Sequence, residues 1–328
     1  MIEIGPLVSI VIPTRNAGER FRDVLAAIRA QEPAGSEVEI VVVDSGSTDG
    51  TLDVGRQFGA RVFSIPAREF NHGETRNLGI GHSRGSLVGC LVQDALPANN
   101  AWLAPLVDTL QGDERVAGAY SRQLPWPEDD PLTQFLVGQW HQVQGARRVC
   151  QALPGPGTLG SLPFAERRRA CAFDNVSSLL RRDVWEQHPF RPVPFAEDMD
   201  WARRVLQAGL AVVYEPDSQV YHSHVRPFLY DLRRQYVDER VLLDSLEADD
   251  RTIRAWNSPR QVLGLVKHVL GLARRQGALS PALVRHLATF SLAISIGSAA
   301  RRAVHPRLRS PHPPAWSKRA DAWFLDGV

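Results

Sequence analysis

Residues 194 to 209 read PFAEDMDWARRVLQAG, with Glu197, Asp198 and Asp200 crowded just ahead of an apolar helical pattern. Two chemistries suit that placement. Acids in a first helical turn satisfy orphan backbone N–H groups and complement the helix dipole. A carboxylate at the mouth of a cleft can instead act as a general base. Other residues of reactive type stand where apolar runs end. VSIVI gives way to Pro13-Thr14-Arg15-Asn16, VEIVVVD ends in Asp44-Ser45-Gly46-Ser47, and LVGCLVQD ends in Asp94. A carboxylate such as Asp44 can accept from the imide N–H of a uracil or thymine, or cap the turn that follows it. Arg76, within FNHGETRNLG, can reach a diphosphate or form a surface ion pair with Glu69 or Glu74. Asp94 can ligate a divalent ion of the kind that takes few protein ligands. His222 and His224 alternate with Ser223, which on a strand puts both on one face. They suit a metal or phosphate site, or a structural role.

These residues need elements that gather them. The first 120 residues alternate strand and helix patterns. Strands are expected at 8–12, 38–44, 61–65, 87–92 and 116–120, and helices from Phe21, after 45–51, at 73–83 and at 101–110. Asn16-Ala-Gly-Glu19 has the form of a capping box for the first helix. The unbroken apolar run of VEIVVVD is that of a strand buried on both faces of a parallel sheet. In open parallel sheets ligands bind beyond the carboxyl ends of the strands, so the polar strand ends should face one cleft. No GxGxxG follows the first strand and no GxxxxGK[ST] occurs, which disfavours a dinucleotide fold and a P-loop. Residues 121–170, rich in Pro, Gly and Arg, are expected as loops with one helix at about 131–145. CAFDNVSSLLRR restores order at 171–182. AVVYEP and SQVYHSH, at 211–216 and 218–224, are expected as two further strands, and the chain beyond Pro227 as helical apart from a Pro-rich tail at 305–316.

A length of 328 residues fits about two domains, or one large α/β domain with an extension. Three cysteines, Cys90, Cys150 and Cys171, an odd number without CxxC spacing, argue against a disulfide framework or a zinc site and fit a reducing compartment better. The amino terminus lacks the basic and cleavage-site features of a signal peptide. The net charge of +2 conceals an asymmetry: residues 251–328 hold 13 Lys or Arg against 2 Asp, a local +11 that leaves −9 for the rest. An anionic partner for that region is one implication, a solvated basic face the other. LATFSLAISIGSAA, at 287–300, is shorter than the roughly 20 residues of a spanning helix, and suits a core helix or an amphipathic segment lying on a bilayer.

The motifs VSIVIPTRN, VVVDSGSTDGT, FNHGETRNLG, VQDALP, FAEDMDWARR and YHSH occur in that order. In order and spacing the chain resembles the bacterial family 2 glycosyltransferases of GT-A fold, over roughly residues 7–240, and is most similar to their rhamnosyltransferase-like members. The resemblance implies an α/β fold with a Rossmann-like mixed, mostly parallel sheet, a transferase domain at 1–240 and a basic helical extension with a Pro-rich tail at 241–328. It implies that Pro13, Thr14, Arg15 and Asn16 line the nucleotide, with Asp44 and Ser45 at the pyrimidine. Arg76 would meet the diphosphate, and Asp94 would hold Mg²⁺ or Mn²⁺ with His222, and His224 as a further candidate. Asp198 of the Glu197-Asp198 pair would be the general base, with Glu197 beside the substrate. The first position of the family's DxD metal motif is Val92, so only Asp94 remains of that pair. No QxxRW follows, which argues against a processive synthase.

The implied reaction is inverting sugar transfer from a nucleoside-diphosphate sugar, dTDP-L-rhamnose being one candidate donor, to a glycan or lipid-linked acceptor. It would take place in the cytoplasm, with peripheral contact of 251–310 at the inner face of the cell membrane. A non-catalytic carbohydrate-binding protein that has kept the fold is the alternative, supported by Val92. A nucleotidyltransferase would need a Gly-rich basic loop that IPTRNAGER lacks. A nucleic-acid partner is not expected, since the basic tail has few aromatics spaced for base stacking.

Overall fold

The computed structural model describes residues 7–31, 37–142, 146–155, 157–256 and 258–326. In chain order the elements are β1 (Val8–Thr14), α1 (Arg20–Arg29), β2 (Val38–Asp44), α2 (Thr51–Gln57), β3 (Arg61–Ser64), α3 (His72–His82), β4 (Leu87–Leu91), β5 (Leu96–Pro97), α4 (Ala104–Gly112) and β6 (Val116–Leu124). Then come α5 (Pro131–Gln142), β7 (Val149–Gln151), α6 (Phe164–Ala170), β8 (Ser177–Arg181), α7 (Arg182–Gln187), α8 (Glu197–Gln207) and β9 (Ala211–Tyr221). The remaining helices are α9 (Phe228–Ser245), α10 (Asp250–Trp256), α11 (Pro259–Gln276), α12 (Pro281–Leu308) and α13 (Ala315–Leu325). The described residues form two compact units. One takes in the chain up to Leu124, 140–162 and 169–222; the other takes in 125–139, 163–168 and the chain from Ser223.

The first unit is built on a mixed sheet of order β3-β2-β1-β4-β8-β6-β9-β5, with β7 also paired to β9. β3, β2, β1 and β4 run parallel, as do β6 and β9, while β8 lies antiparallel between β4 and β6. β2 shows why Ile40–Val43 is apolar, while the buried Glu39 is paired with Arg61 and Arg84. Ile40 and Val42 enter one core layer with Phe21, Leu25 and Ile28 of α1, and Val41 joins the opposite layer with Ile80 of α3 and Trp201 of α8. Gly79 lets α3 lie close on the sheet, since a Cβ there would come within 2.3 Å of Val11 Cγ1.

Several expectations shift. α1 has Glu19 at its N-cap with no side-chain cap bond, so Asn16 does not form the expected capping box. β6 runs on to Leu124 rather than ending at Tyr120, because it continues pairing with β9. β9 is one strand, not two: a register shift between Ser121↔Glu215 and Arg122↔Gln219 absorbs residues 216–218. It ends at Tyr221, so His222 and His224 do not share a strand face. The helix expected at about 131–145 is seen as Pro131–Gln142, and 143–145 lie outside the described residues.

In the second unit, α12 packs on α9. Arg301 and Glu239, both 1% exposed, are paired at 2.8 Å, and Gly297 lets the backbones approach, a Cβ there meeting Leu232 O at 2.5 Å. The apolar stretch 287–300 therefore lies within a 28-residue helix. Among the described residues this helix is long and apolar enough to cross a membrane. One face is buried through Leu283, Leu287, Ala293 and Gly297, and another exposes Val284, Leu292 and Ile296.

Candidate active site

The carboxyl ends of β1, β2, β4, β6 and β9 meet at one edge of the sheet. Because β8 is antiparallel, its entry, not its exit, lies there: Ser177 is opposite Leu91 and Ser178 opposite Tyr120. The segment leading into β8, Asp174-Asn175, is thereby brought beside the strand ends that the sequence marks as polar.

Two loops form one side. Asp44 is 1% exposed and its carboxylate accepts from Thr14 Oγ1 (3.1 Å), Ser47 Oγ, Gly46 N (3.0 Å) and Ser47 N (2.9 Å). A carboxylate offers about four acceptor positions, and here they are met by three donors of the following turn and one from Thr14 of β1. Ser45 is equally buried and donates to Thr14 O at 3.0 Å. Asn16 adopts φ +46, a conformation Asn tolerates. It joins the loops by donating its N–H to Ser47 Oγ (2.7 Å) and accepting from Thr48 N (2.8 Å). Pro13 is half-buried, Thr14 buried, and Arg15 exposed. Gln93 clamps the Arg15 backbone, accepting from its N–H at 2.8 Å.

The acidic trio divides three ways. The N-cap of α8 is Ala196, held at φ 59, ψ 45, a region that costs a residue with a Cβ. Glu197, 4% exposed, accepts from Arg76 Nη1 at 2.7 Å and from Asn175 Nδ2 at 3.2 Å. Burial opposes its charge, but Arg76, His72 and Asn175 outweigh that and hold the carboxyl below its ordinary range. Arg76, also 4% exposed, pairs with Glu197 and not with Glu69 or Glu74, and gives Nη1 to His72 O as well. Asp200 is bound along its own helix by Arg203 and Arg204. Asp198 accepts from Met199 N (2.7 Å) and Asn175 N (3.3 Å). Burial, then the charges of Glu197 and Asp174, push it up to about 8, against the opposing effect of Met199 N–H and Arg76.

A polar chain runs on from there. Asp174 accepts from Val176 N at 2.9 Å and from Gln123 Nε2, and Gln123 Oε1 lies 2.8 Å from His222 Nδ1. His222 Nε2 in turn is 3.7 Å from Asp94 Oδ1. A carboxylate oxygen and an imidazole nitrogen so placed suit Mg²⁺ or Mn²⁺ when other oxygens complete the shell. His224 opens the second unit with Ser223 and is exposed. Asp174, Asn175, Gln123 and Gln93 were not singled out by the sequence. The signal for the first two was an Asp-Asn pair before an apolar run, invisible as a site until β8 is known to be antiparallel.

A mixed α/β sheet with its polar strand ends on one edge, and a helical region after it, is the GT-A glycosyltransferase fold. Residues 9–158 match the profile of Glycosyl transferase family 2, and the chain belongs to that family. It is 35% identical to the glycosyltransferase AglE of Haloferax volcanii over 241 residues, 70% of this chain and 71% of that one. It is 30% identical to the O-antigen chain rhamnosyltransferase RfbN of Salmonella typhimurium over 221 residues, 66% of each chain. The alignment thus spans about two thirds of that relative's length. A mannosyltransferase of Pyrobaculum calidifontis, solved with GDP-Man and Mn²⁺, shares the fold at TM-score 0.52 and 20% identity, covering 98% of this chain and 86% of that one.

Proposed function

We propose that this protein transfers a sugar, with inversion, from a nucleoside-diphosphate donor to a hydroxyl of a glycan acceptor, with Asp198 as general base. The observation that carries the reading is the environment of Asp198. Its carboxyl sits in the first turn of α8 beside Asp174 and Glu197, pushed up to about 8, near the range where a carboxylate is a useful base. Asp198 takes the proton of the acceptor hydroxyl as that oxygen attacks the anomeric carbon from the face opposite the diphosphate. Glu197 stays ionised against Arg76 and holds the turn that presents Asp198. Pro13, Thr14, Arg15 and Asn16, with the Asp44–Thr48 loop, receive the nucleotide, and Asp44 and Ser45 keep that loop in shape. Asp94 and His222 would hold the divalent cation, which when bound supplies positive charge to offset that growing on the departing diphosphate.

The 30% identity to a protein named as an O-antigen chain rhamnosyltransferase makes dTDP-L-rhamnose the first donor to test, and a lipid-linked polysaccharide intermediate the first acceptor. Membrane contact would use the basic C-terminal region. Leu263, Leu279, Val284, Leu292 and Ile296 are exposed within a stretch carrying a surplus of 11 positive charges, and each Lys or Arg near an anionic surface contributes about 1 kcal/mol. Full-length Leu292→Glu/Ile296→Glu that still sediments with phosphatidylglycerol vesicles as the wild type does would refute that contact.

The donor is tested by thermal stabilisation with dTDP-rhamnose, UDP-glucose, UDP-galactose and GDP-mannose, each with Mn²⁺ and with EDTA. A Mn²⁺-dependent rise with one donor, reduced in Asp94→Ala, is expected. Stabilisation by free monosaccharide or glycan, and by no nucleotide sugar, would favour a carbohydrate-binding protein instead.

A further inference from the structure

We propose that Gln123 is a positioning residue, fixing the His222 imidazole as the Nδ1–H tautomer so that Nε2 is kept as a ligand atom beside Asp94. The inference rests on the reading of Asp94 and His222 as cation ligands. An amide has a donor end and an acceptor end, and only the surrounding network says which faces where. Here Nε2 of Gln123 donates to Asp174 Oδ2 and Oε1 faces His222 Nδ1 at 2.8 Å. The reverse orientation would set the amide oxygen against Asp174, a carboxylate whose other oxygen already accepts from Val176 N at 2.9 Å and whose charge is felt by Asp198. Oxygen against oxygen is repulsive, so the carbonyl end must face the imidazole. A carbonyl cannot donate, so Nδ1 does. A neutral imidazole protonated at Nδ1 carries its lone pair on Nε2. That atom lies 3.7 Å from Asp94 Oδ1. The hydrogen bond made by one ring nitrogen thus decides what the other offers a metal.

The backbone holds this relay in register. β6 pairs in parallel with β9 through Gln123↔Val220 and Leu124↔Tyr221, and His222 N donates to Leu124 O at 3.0 Å. The side chain of Gln123 and the ring of His222 are therefore carried on paired backbone to one place. The same amide reaches Asp174, whose charge bears on Asp198, so one residue links the ligand side of the site to the base side.

The test uses the full-length, metal-free protein and Mn²⁺ alone. Gln123→Leu leaves Nδ1 without its acceptor, and Mn²⁺ affinity by calorimetry is expected to fall about 10- to 100-fold, the usual range for loss of a residue that orients a ligand. Gln123→Glu in an Asp174→Asn background keeps an acceptor for Nδ1–H without setting two carboxylates together, and is expected to bind Mn²⁺ more tightly than Gln123→Leu does. Equal affinity in Gln123→Leu and the wild type would overturn the proposal. A second measurement does not depend on the variants: long-range ¹H–¹⁵N correlation in the wild type, assigned with His222→Gln, should show the proton of His222 on Nδ1, and a proton on Nε2 alone overturns it. Asp94→Ala separates the two levels. Wild-type Mn²⁺ binding that is lost in Asp94→Ala but untouched in Gln123→Leu refutes only the role of Gln123. No Mn²⁺ binding by the wild type refutes the ligand reading, and the role of Gln123 with it.

Discussion

Replacing Arg76 by Met leaves Glu197 buried without its counter-charge. Both side chains are about 95% buried, with 4% and 5% of their surface exposed, and meet at 2.7 Å. Removing one partner of such a pair costs about 3–5 kcal/mol, a large part of the roughly 5–15 kcal/mol that holds a typical domain together. The cost should depend on pH. In the wild type Glu197 is held below its ordinary range, so its contribution is present above the unfolded value and lost only as pH falls through the depressed one. In Arg76→Met burial acts unopposed by the guanidinium and raises the carboxyl. The variant then folds with a proton bound, and its deficit is largest at alkaline pH and shrinks as pH falls. Urea unfolding followed by tryptophan fluorescence reads this, since Trp102 and Trp201 are buried in the same unit. Arg76→Met/Glu197→Leu, which removes both charges, should recover most of the loss. A deficit below about 1 kcal/mol in the single variant, equal at about pH 5.5 and 8, would refute this description of the pair. If Arg76 also meets a donor diphosphate, Arg76→Lys should weaken donor binding beyond its effect on stability.

Turnover should rise with pH through about 8, the value to which Asp198 is raised, and Asp174→Asn should move the profile to lower pH by removing a charge that raises it. The sign for stability is opposite to that of Glu197: Asp198 is raised, so its contribution is full below about pH 4 and lost as pH rises through about 8. Melting temperatures of Asp198→Asn should accordingly depend less on pH across that window. Asp94→Ala should abolish Mn²⁺-dependent donor stabilisation while changing the melting point of the free protein little, because Asp94 is part-exposed; equal donor shifts in both proteins would remove Asp94 from the metal site. In the second unit Arg301→Met removes the counter-charge of Glu239, 1% exposed, and leaves it the neutral donors Gln235 and Ser298; it should cost about 3–5 kcal/mol, which calorimetry would show as a lowered transition.

The parallel half of the sheet was legible because its strands obey simple rules. In VEIVVVD the run Ile40–Val43 is apolar since both faces are covered there, and the strand's boundaries, Val38–Asp44, coincide with the expected ones. The polar strand ends of β1, β2 and β4 were legible for a related reason: an apolar run stops where the sheet gives way to loops tied by polar side chains. What escaped depends on strand direction and long-range register. Asp174 and Asn175 reach the site because β8 is antiparallel, which no local pattern announces. Gln123 reaches it because β6 continues past a register shift opposite residues 216–218, in a stretch whose Pro and Arg content suggested loop. The capping box failed at Asn16 because Ser47 and Thr48, remote in sequence, offered better partners. The acidic trio of α8 divides instead of capping the helix: Asp200 pairs with Arg203 and Arg204, Glu197 is locked to Arg76, and Asp198 feels the charge of Asp174.

The most direct measurement is product stereochemistry. Full-length wild type and Asp198→Asn are incubated with the stabilising nucleotide sugar, Mn²⁺ and a lipid-linked glycan acceptor, and the new glycosidic bond is analysed by NMR. The expected product has the anomeric configuration opposite to the donor's, with the initial rate in Asp198→Asn lower by about 10²–10⁴-fold. A product that retains the donor configuration, or an Asp198→Asn enzyme as fast as the wild type, would contradict the assignment of Asp198 as the base of an inverting transfer.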